Sequence, residues 1–410
     1  MIHVCYCFCD KTGHYAKFAG TSILSMLENT GAEITVHILH DNTLTSENID
    51  RFNYLVGRYN QYVKFYNLDE LFPDKIDEIK RLVPDVEKSK VTVGAFYKLL
   101  IPQALPNKIE KAIFIDPDTI VNLDIKELWQ IDLEDKLLGV VPEVENGANP
   151  TKSFLLCSEG FVKSEDYFNT GVFLMNLNAL RGEEKKIMQG VKFRGENLNQ
   201  KYFEQTVLNY CFSTQTLKLP TKFNRFVRQE RSQSEQVIEK KIYHYSDGSS
   251  RMGLDMNDIF NRLWMDYFIK TPWFDEKTME QLYIGLQKIR NDLKDSTLRI
   301  SKALTGKTRV FFVEPAKEAA IKKAFAVDKD EIIIPAENNN SIQKLLNAMK
   351  VSKGKSVFFI MTEKFLNKPF PLDQLKKEGF SEGKDFLKGW KYLPTKRGVP
   401  FSSYALVKAL

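Results

Sequence analysis

Two aspartates separated by one proline, Asp116 and Asp118 in KAIFIDPDTIV, are the residues whose type and spacing most invite a chemical reading. The residue before a proline is driven into extended backbone, and Pro117 fixes its own φ, so Asp116 is expected to prolong the preceding strand. Side chains alternate along a strand, which sets positions 116 and 118 on one side. Two carboxylates that close repel unless a cation lies between them. A small set of hard oxygen ligands suits Mg²⁺ or Mn²⁺, with positions left for phosphate oxygens. As an isolated tripeptide, DPD reads first as a polar turn at a strand end. Asp124 and Glu127 in the same stretch read as a helix N-cap with its capping-box glutamate.

The elements around this pair must form a sheet edge. Apolar runs alternate with helical patterns through the first third: IHVCYCFC, YAKFAGTSILSMLEN, EITVHIL, SENIDRFNYLVGRYN and YVKFYNL. That order predicts βαβ units and a mostly parallel sheet. A helix over TVGAFYKLLIPQAL leads into AIFI, and LLGVVP, TGVFLMN and KIYHYS supply later strands. Ligands of open sheets sit at the carboxyl ends of the strands. Asp10, which follows the first strand, and Asp116, which follows AIFI, are therefore expected to share a crevice.

Helices over DMNDIFNRLWMDYFIK and EKTMEQLYIGLQKIRNDLKDSTLRISKAL close the first domain. The second is basic and amphipathic; it reads as a connector on the core, with an anionic lipid surface as its alternative partner. The expected organisation is a first domain at 1–275, a helical connector at 276–306 and a small α/β domain at 307–410, where RVFFVE, EIIIP and SVFFIM alternate with PAKEAAIKKAF and NSIQKLLNAM. A GKS at 354–356 lacks the upstream glycine of a phosphate loop and precedes a strand, so no phosphate role follows from it.

The chain has 410 residues, 43% hydrophobic and 27% charged, the composition of a globular protein with real cores rather than a disordered or fibrous one. Its net charge of +6 is spread along the length, which suits an anionic ligand or membrane surface better than nucleic acid. Cys5, Cys7 and Cys9 alternate along one strand and so share a face, a small-residue packing surface of a reduced protein rather than a disulfide framework or CxxC metal site. Met1 leads straight into that strand, and no apolar run reaches the roughly 18 residues of a membrane span, so the chain reads as cytoplasmic with any membrane contact peripheral.

Around DPD the sequence offers FYKLLIPQALPNKIEKAIFIDPDTIV, YFNTGVFLMNL at 167–177, YFEQTVLNYCF at 202–212 and IYHYSDGSSRMG at 242–253. In this order and spacing they resemble the family 8 glycosyltransferases over roughly residues 1–275. That resemblance implies a GT-A type nucleotide-diphospho-sugar transferase fold, a UDP-sugar donor and retaining sugar transfer. It implies that Asp116, Asp118 and His244 hold Mn²⁺, with Mg²⁺ as the substitute, against the donor diphosphate. It further implies that Lys98 and Arg251 meet the phosphates, that Asp10 and Tyr15 hold uracil and ribose, and that Asn169 and Gly171 line the sugar. Gly248 matches the glycine of the family's His-x-x-Gly-x-x-Lys signature, here one residue longer and with Arg251 in place of lysine. Arginine grips phosphate in two-pronged fashion, so the charge survives. Gln205 matches a glutamine near the anomeric carbon, and Glu204 stands where aspartate is usual.

The implied acceptor is a glycan or lipid-linked sugar, and GFSEGKDF near the C-terminus is weakly similar to segments of bacterial polysaccharide glycosyltransferases. Two other readings compete. A sugar nucleotidyltransferase would carry a glycine-rich basic loop after the first strand, where DKTGHYAKFAG has only two separated glycines. A catalytically degenerate relative would bind UDP or glycan without turnover.

Overall fold

The computed structural model describes residues 1–86, 92–197, 202–246 and 257–276, residues 279, 280 and 284, and most of 307–389. The chain divides into two compact units, Met1–Glu276 and Lys277–Leu410. The connector helix expected over 276–306 lies almost wholly outside the described residues.

The first unit is built on a seven-stranded sheet. Its strands are β1 (Ile2–Phe8), β2 (Ile34–His40), β3 (Tyr62–Asn67), β4 (Lys111–Ile115), β6 (Leu138–Pro142), β7 (Phe168–Asn176) and β8 (Thr216–Lys218), in the order β3-β2-β1-β4-β7-β6-β8. All neighbours are parallel except that β7 runs against both β4 and β6. This is the mostly parallel α/β sheet that the pattern predicts. Strands covered on both faces are apolar almost throughout, and β1 shows why. Val4, Tyr6 and Phe8 pack on one side with helix α1 (His14–Asn29), while Cys5, Cys7 and Cys9 pack on the other with Phe96 and Phe114. All five cysteines are unpaired and buried, and Cys5, Cys7 and Cys9 share a face as their spacing suggests.

Trp273 locks the end of this unit to its beginning. Its indole donates to Asn48 Oδ1 at 2.8 Å on α2 (Ser46–Gly57), and its ring fills the space that a Cβ on Gly20 of α1 would need.

Two local expectations fail. The stretch TVGAFYKLLIPQAL is no continuous α-helix but a 3₁₀ helix, Val93–Leu100, followed by one α turn, Ile101–Ala104. Gly94 packs so closely on Cys9 that a Cβ would collide with it. Most of the segment is buried, Lys98 included, so packing rather than an amphipathic stripe sets its winding. The capping box at Asp124 and Glu127 does not form either: Asp124 Oδ1 accepts from the Lys126 amide, while Glu127 pairs with Lys222 instead of folding back.

The DPD segment is where the chain changes sheets. The Asp116 N–H donates to the Gly171 carbonyl at 2.7 Å, carrying the β4–β7 ladder one residue past Ile115. At Pro117 the backbone leaves, and β5 (Thr119–Val121) pairs antiparallel with β10 (Ile242–His244), which lies parallel to β9 (Arg225–Phe226). The Asp118 carbonyl accepts from the Tyr245 N–H at 2.9 Å.

The second unit holds a four-stranded parallel sheet, β12-β11-β13-β16, from β11 (Thr308–Val313), β12 (Ile332–Pro335), β13 (Ser356–Ile360) and β16 (Phe386–Leu387). A small hairpin of β14 (Lys364–Phe365) and β15 (Lys368–Pro369) follows β13. Helices Glu318–Ala324 and Asn340–Val351 are its crossovers, and GKS ends in the first residue of β13.

A row of polar side chains crosses β1, β2 and β3: His3 Nδ1 lies 3.0 Å from His37 Nε2, and His37 Nδ1 lies 3.0 Å from Tyr66 Oη. Burial, then the charges of His3 and Lys64, pushes His37 down from 6.5 to about 3. The folded protein thus refuses a proton that the unfolded chain accepts. Stability from this group is complete above pH 6.5 and falls as the pH drops toward about 3, by up to about 1.4 kcal/mol per unit. Urea unfolding followed downward through this window should show a shallower decline for His37→Leu than for the natural protein; equal slopes refute the assignment.

Candidate active site

The reversed direction of β7 makes the site. Its first residues, Asn169–Gly171, lie at the same sheet edge as the carboxyl ends of β1 and β4, and the helix Phe203–Phe212 opens against them. Together they enclose a cleft of about 340 Å³. Tyr15, Lys98, Asp116, Asp118, Asn169, Gly171, Glu204, Gln205 and His244 all line it. Gly248 and Arg251 lie outside the described residues.

Asp10 is not among the residues that line this cleft. Its Oδ1 accepts from the amides of Tyr15 and Ala16 at 3.0 and 3.2 Å, and its Oδ2 accepts from Asn48 Nδ2 at 2.8 Å. The carboxylate holds the first turn of α1 and so positions Tyr15 at the cleft. Tyr15 itself stays 41% exposed, leaving ring surface open.

His244 stands opposite Thr119 in the β5–β10 pairing, which brings an imidazole 126 residues distant in sequence against Asp118. Its Nε2 lies 3.4 Å from Asp118 Oδ1 and 3.9 Å from Asp116 Oδ2. One ligand atom from each of the three residues lies within 4.8 Å of the others. The carboxylates face one another because the chain changes sheets between them, not by simple alternation along a single strand. Gly171 is the reason the ring fits: a Cβ there would overlap His244 Cε1 and Nδ1. The glycine expected to let the backbone near a sugar is required first by this histidine.

Lys98 is buried, where a lone helical lysine would ordinarily be solvated. Its Nζ lies 3.1 Å from Asp116 Oδ1, 3.1 Å from Glu204 Oε1 and 3.0 Å from the Thr170 carbonyl, above the Phe114 ring. Burial opposes its charge, but Asp116 and Glu204 outweigh burial and hold the ammonium protonated beyond the usual lysine range. Burial pushes the Asp116 carboxyl up to about 6, against the pull of Lys98 and with the repulsion of Asp118 added. For His244 burial favours the neutral ring, yet the two aspartates prevail and raise its pKa. Burial and the close acidic neighbours together set these shifts.

Gln205 is fixed at both ends. Its Oε1 accepts from Asn169 Nδ2 at 3.1 Å and the Thr170 N–H at 3.3 Å, and its Nε2 faces Tyr167 Oη and Glu143 Oε1 at 3.3 and 3.4 Å. Thr170, Glu143, Tyr167 and Asn224 are the supporting residues that sequence reasoning missed. The available signal was faint, a buried-type polar residue inside each of the apolar contexts VVPEV, YFNTG and KFNRF.

Two substitutions test this construction. Lys98→Met leaves Asp116 and Glu204 facing each other unneutralised. It should lower unfolding free energy by about 3 kcal/mol, the low end for a broken buried pair because both acids keep some contact with water; an unchanged denaturation midpoint refutes the pairing. Gly171→Ala should push the His244 ring aside and weaken divalent-ion binding by more than about tenfold with the fold retained; calorimetric titration with Mn²⁺ would reveal unaltered affinity if the glycine is incidental.

Comparison with known proteins agrees with this geometry. A protein of Haemophilus influenzae, assigned by name to the glycosyltransferases, is 27% identical over 311 residues, covering 69% of this chain and 86% of that one. The lipopolysaccharide 1,2-glucosyltransferase of Escherichia coli is 28% identical over 215 residues, 52% of this chain and 59% of the relative. Among solved structures, a galactosyltransferase, LgtC, in complex with donor and acceptor sugar analogs superposes with a TM-score of 0.54 at 17% identity, over 67% of this chain and 98% of that one. The fold is therefore the GT-A type. Residues 6–249 match the model of glycosyl transferase family 8, and with more than half of its length inside that match, the chain belongs to this family of glycosyltransferases.

Proposed function

We propose that this protein is a retaining glycosyltransferase that moves a hexose, glucose or galactose, from a UDP-sugar to a hydroxyl of a glycan or lipid-linked sugar. The observation that carries the reading is the meeting of Asp116, Asp118 and His244 beside Lys98 at the carboxyl edge of the sheet. Two carboxylates with one imidazole form a borderline donor set, better matched to Mn²⁺ than to Mg²⁺. Their unbalanced negative charge is what a divalent ion at this place would relieve. When bound, such an ion supplies Lewis-acid neutralisation of a diphosphate leaving group.

The chain's own residues do the rest. Tyr15 offers a ring face on which uracil can stack. Lys98 keeps a fixed positive charge behind Asp116, and the sequence match assigns Arg251 the role of a second charge for the phosphates. Asn169 and Glu204, which line the cleft, are the residues proposed to face the sugar. Gln205, held by Thr170, places a neutral amide beside the reacting carbon, where it stabilises positive charge without forming a covalent bond. The acceptor oxygen attacks from the face that the diphosphate leaves, and the departing phosphate takes its proton. No separate general base is then needed.

The name of the Escherichia coli relative, a lipopolysaccharide glucosyltransferase, supports synthesis of a cell-surface glycan; the inner face of the membrane is the proposed place of work. No described helix is long and apolar enough to cross a membrane, so contact with a lipid-linked acceptor would be peripheral. Lys277–Leu410 then serves placement or oligomerisation.

UDP release from a panel of UDP-sugars, with Mn²⁺ or with chelator, tests the reading. One hexose donor should be hydrolysed slowly and only with metal, and Asp118→Asn should reduce the rate by more than about 100-fold, beyond the effect typical of outer-sphere partners. Gln205→Ala should lower kcat by about 10²–10³ while UDP still binds. A protein that neither turns over nor binds any of these donors is not the proposed enzyme.

A further inference from the structure

The imidazole of His244 can serve as a cation ligand through Nε2 only in the neutral form that carries its proton on Nδ1. A short relay of hydrogen bonds decides this, and it starts from a group with no freedom at all. The Gly171 main-chain N–H can only donate, and it donates to Asn169 Oδ1 at 2.8 Å. That fixes which end of the Asn169 amide is oxygen. The other end agrees, because Asn169 Nδ2 reaches the Glu143 carboxylate, which accepts, at 3.1 Å. Asn169 Oδ1 also lies 2.8 Å from the Asn224 side chain, so Asn224 must turn its Nδ2 toward it. Its Oδ1 is thereby left facing His244 Nδ1 at 2.9 Å. An amide oxygen has no proton to give, so Nδ1 must be the donor.

From this relay we propose that Asn224 is a positioning residue: it holds neutral His244 in the Nδ1–H tautomer, so that Nε2 presents its lone pair between Asp116 and Asp118. The inference rests on the metal-site reading above. Asn224 is not among the residues that line the cleft, and it is fully buried. Its backbone is tied independently, since its carbonyl accepts from Asn146 Nδ2 at 2.9 Å and its N–H donates to the Thr221 carbonyl at 3.0 Å. Replacing the side chain therefore need not move the loop. Without the Asn224 oxygen, nothing on the Nδ1 side demands a proton there, and the two carboxylates draw it to Nε2. A proton on Nε2 competes directly with a cation.

The test has two readouts. In protein with ¹⁵N-labelled histidine and no added metal, at alkaline pH, long-range ¹H–¹⁵N correlation should report His244 protonated on Nδ1 and bare on Nε2. Asn224→Leu should shift the proton to Nε2 and weaken Mn²⁺ binding by about 10- to 100-fold, the usual effect of losing an outer-sphere partner. Asn224→Asp keeps an acceptor oxygen at Nδ1, so it should keep the tautomer and stay within a few-fold in Mn²⁺ affinity. This second variant carries the test if the leucine variant does not fold. An Nε2–H signal in the natural protein or in Asn224→Asp overturns the proposal, as does unchanged tautomer and affinity in Asn224→Leu. If the natural protein shows the Nδ1–H tautomer but binds no Mn²⁺, the relay stands and the metal-site reading is what fails.

Discussion

Four polar commitments meet on one peptide segment, Thr170–Gly171 at the start of β7. The Gly171 carbonyl takes the Asp116 N–H, and the Thr170 carbonyl takes the Lys98 ammonium. The Thr170 N–H orients Gln205, and the Gly171 N–H orients Asn169. Backbone groups in a buried ladder cannot rotate to suit a different partner, so their polarity propagates outward into the side chains. The empty side of Gly171 then receives the His244 ring. Asp116, Lys98, Gln205, Asn169 and His244 are each met by this stretch of main chain.

That arrangement has an electrostatic counterpart. Asp116, Asp118 and Glu204 face the cleft against one ammonium and one imidazole, in surroundings where burial disfavours every charge. Lys98 answers Asp116 and Glu204 together, which leaves Asp118 and His244 to share a proton or a cation. The site is thus stable enough to fold and still short of positive charge, a combination that suits transient binding of a cation and the phosphates it accompanies.

Much of the fold was legible because its elements are periodic. The βαβ alternation, the shared face of Cys5, Cys7 and Cys9, and the strand-helix alternation of the second unit all follow from patterns two or 3.6 residues long, and each appears in the structure. The failures were local competitions that periodicity does not register. TVGAFYKLLIPQAL has a helical pattern, yet close packing of Gly94 on Cys9 winds it as a 3₁₀ helix. Asp124 and Glu127 have capping-box spacing, yet Glu127 pairs with Lys222, a partner that sequence spacing cannot register. Asp10 could serve a ligand or a helix, and only the folded chain shows its carboxylate engaged by the first turn of α1 and by Asn48.

By itself, the sequence determined which residues could do chemistry: an acidic pair that proline stiffens, a histidine ending a strand, a lysine in an apolar stretch and a glutamine opening a helix. Tertiary structure alone decided that these form one site, because the contacts that unite them are long-range. A reversed strand brings 169–171 to the edge where β4 ends, and a change of sheets at Pro117 aims both aspartates at a ring 126 residues beyond Asp118. It also decided what Asn224 is for. A buried asparagine has no meaning in one dimension; its role is fixed by which neighbours have protons to give, and those neighbours are assigned only once the chain has folded.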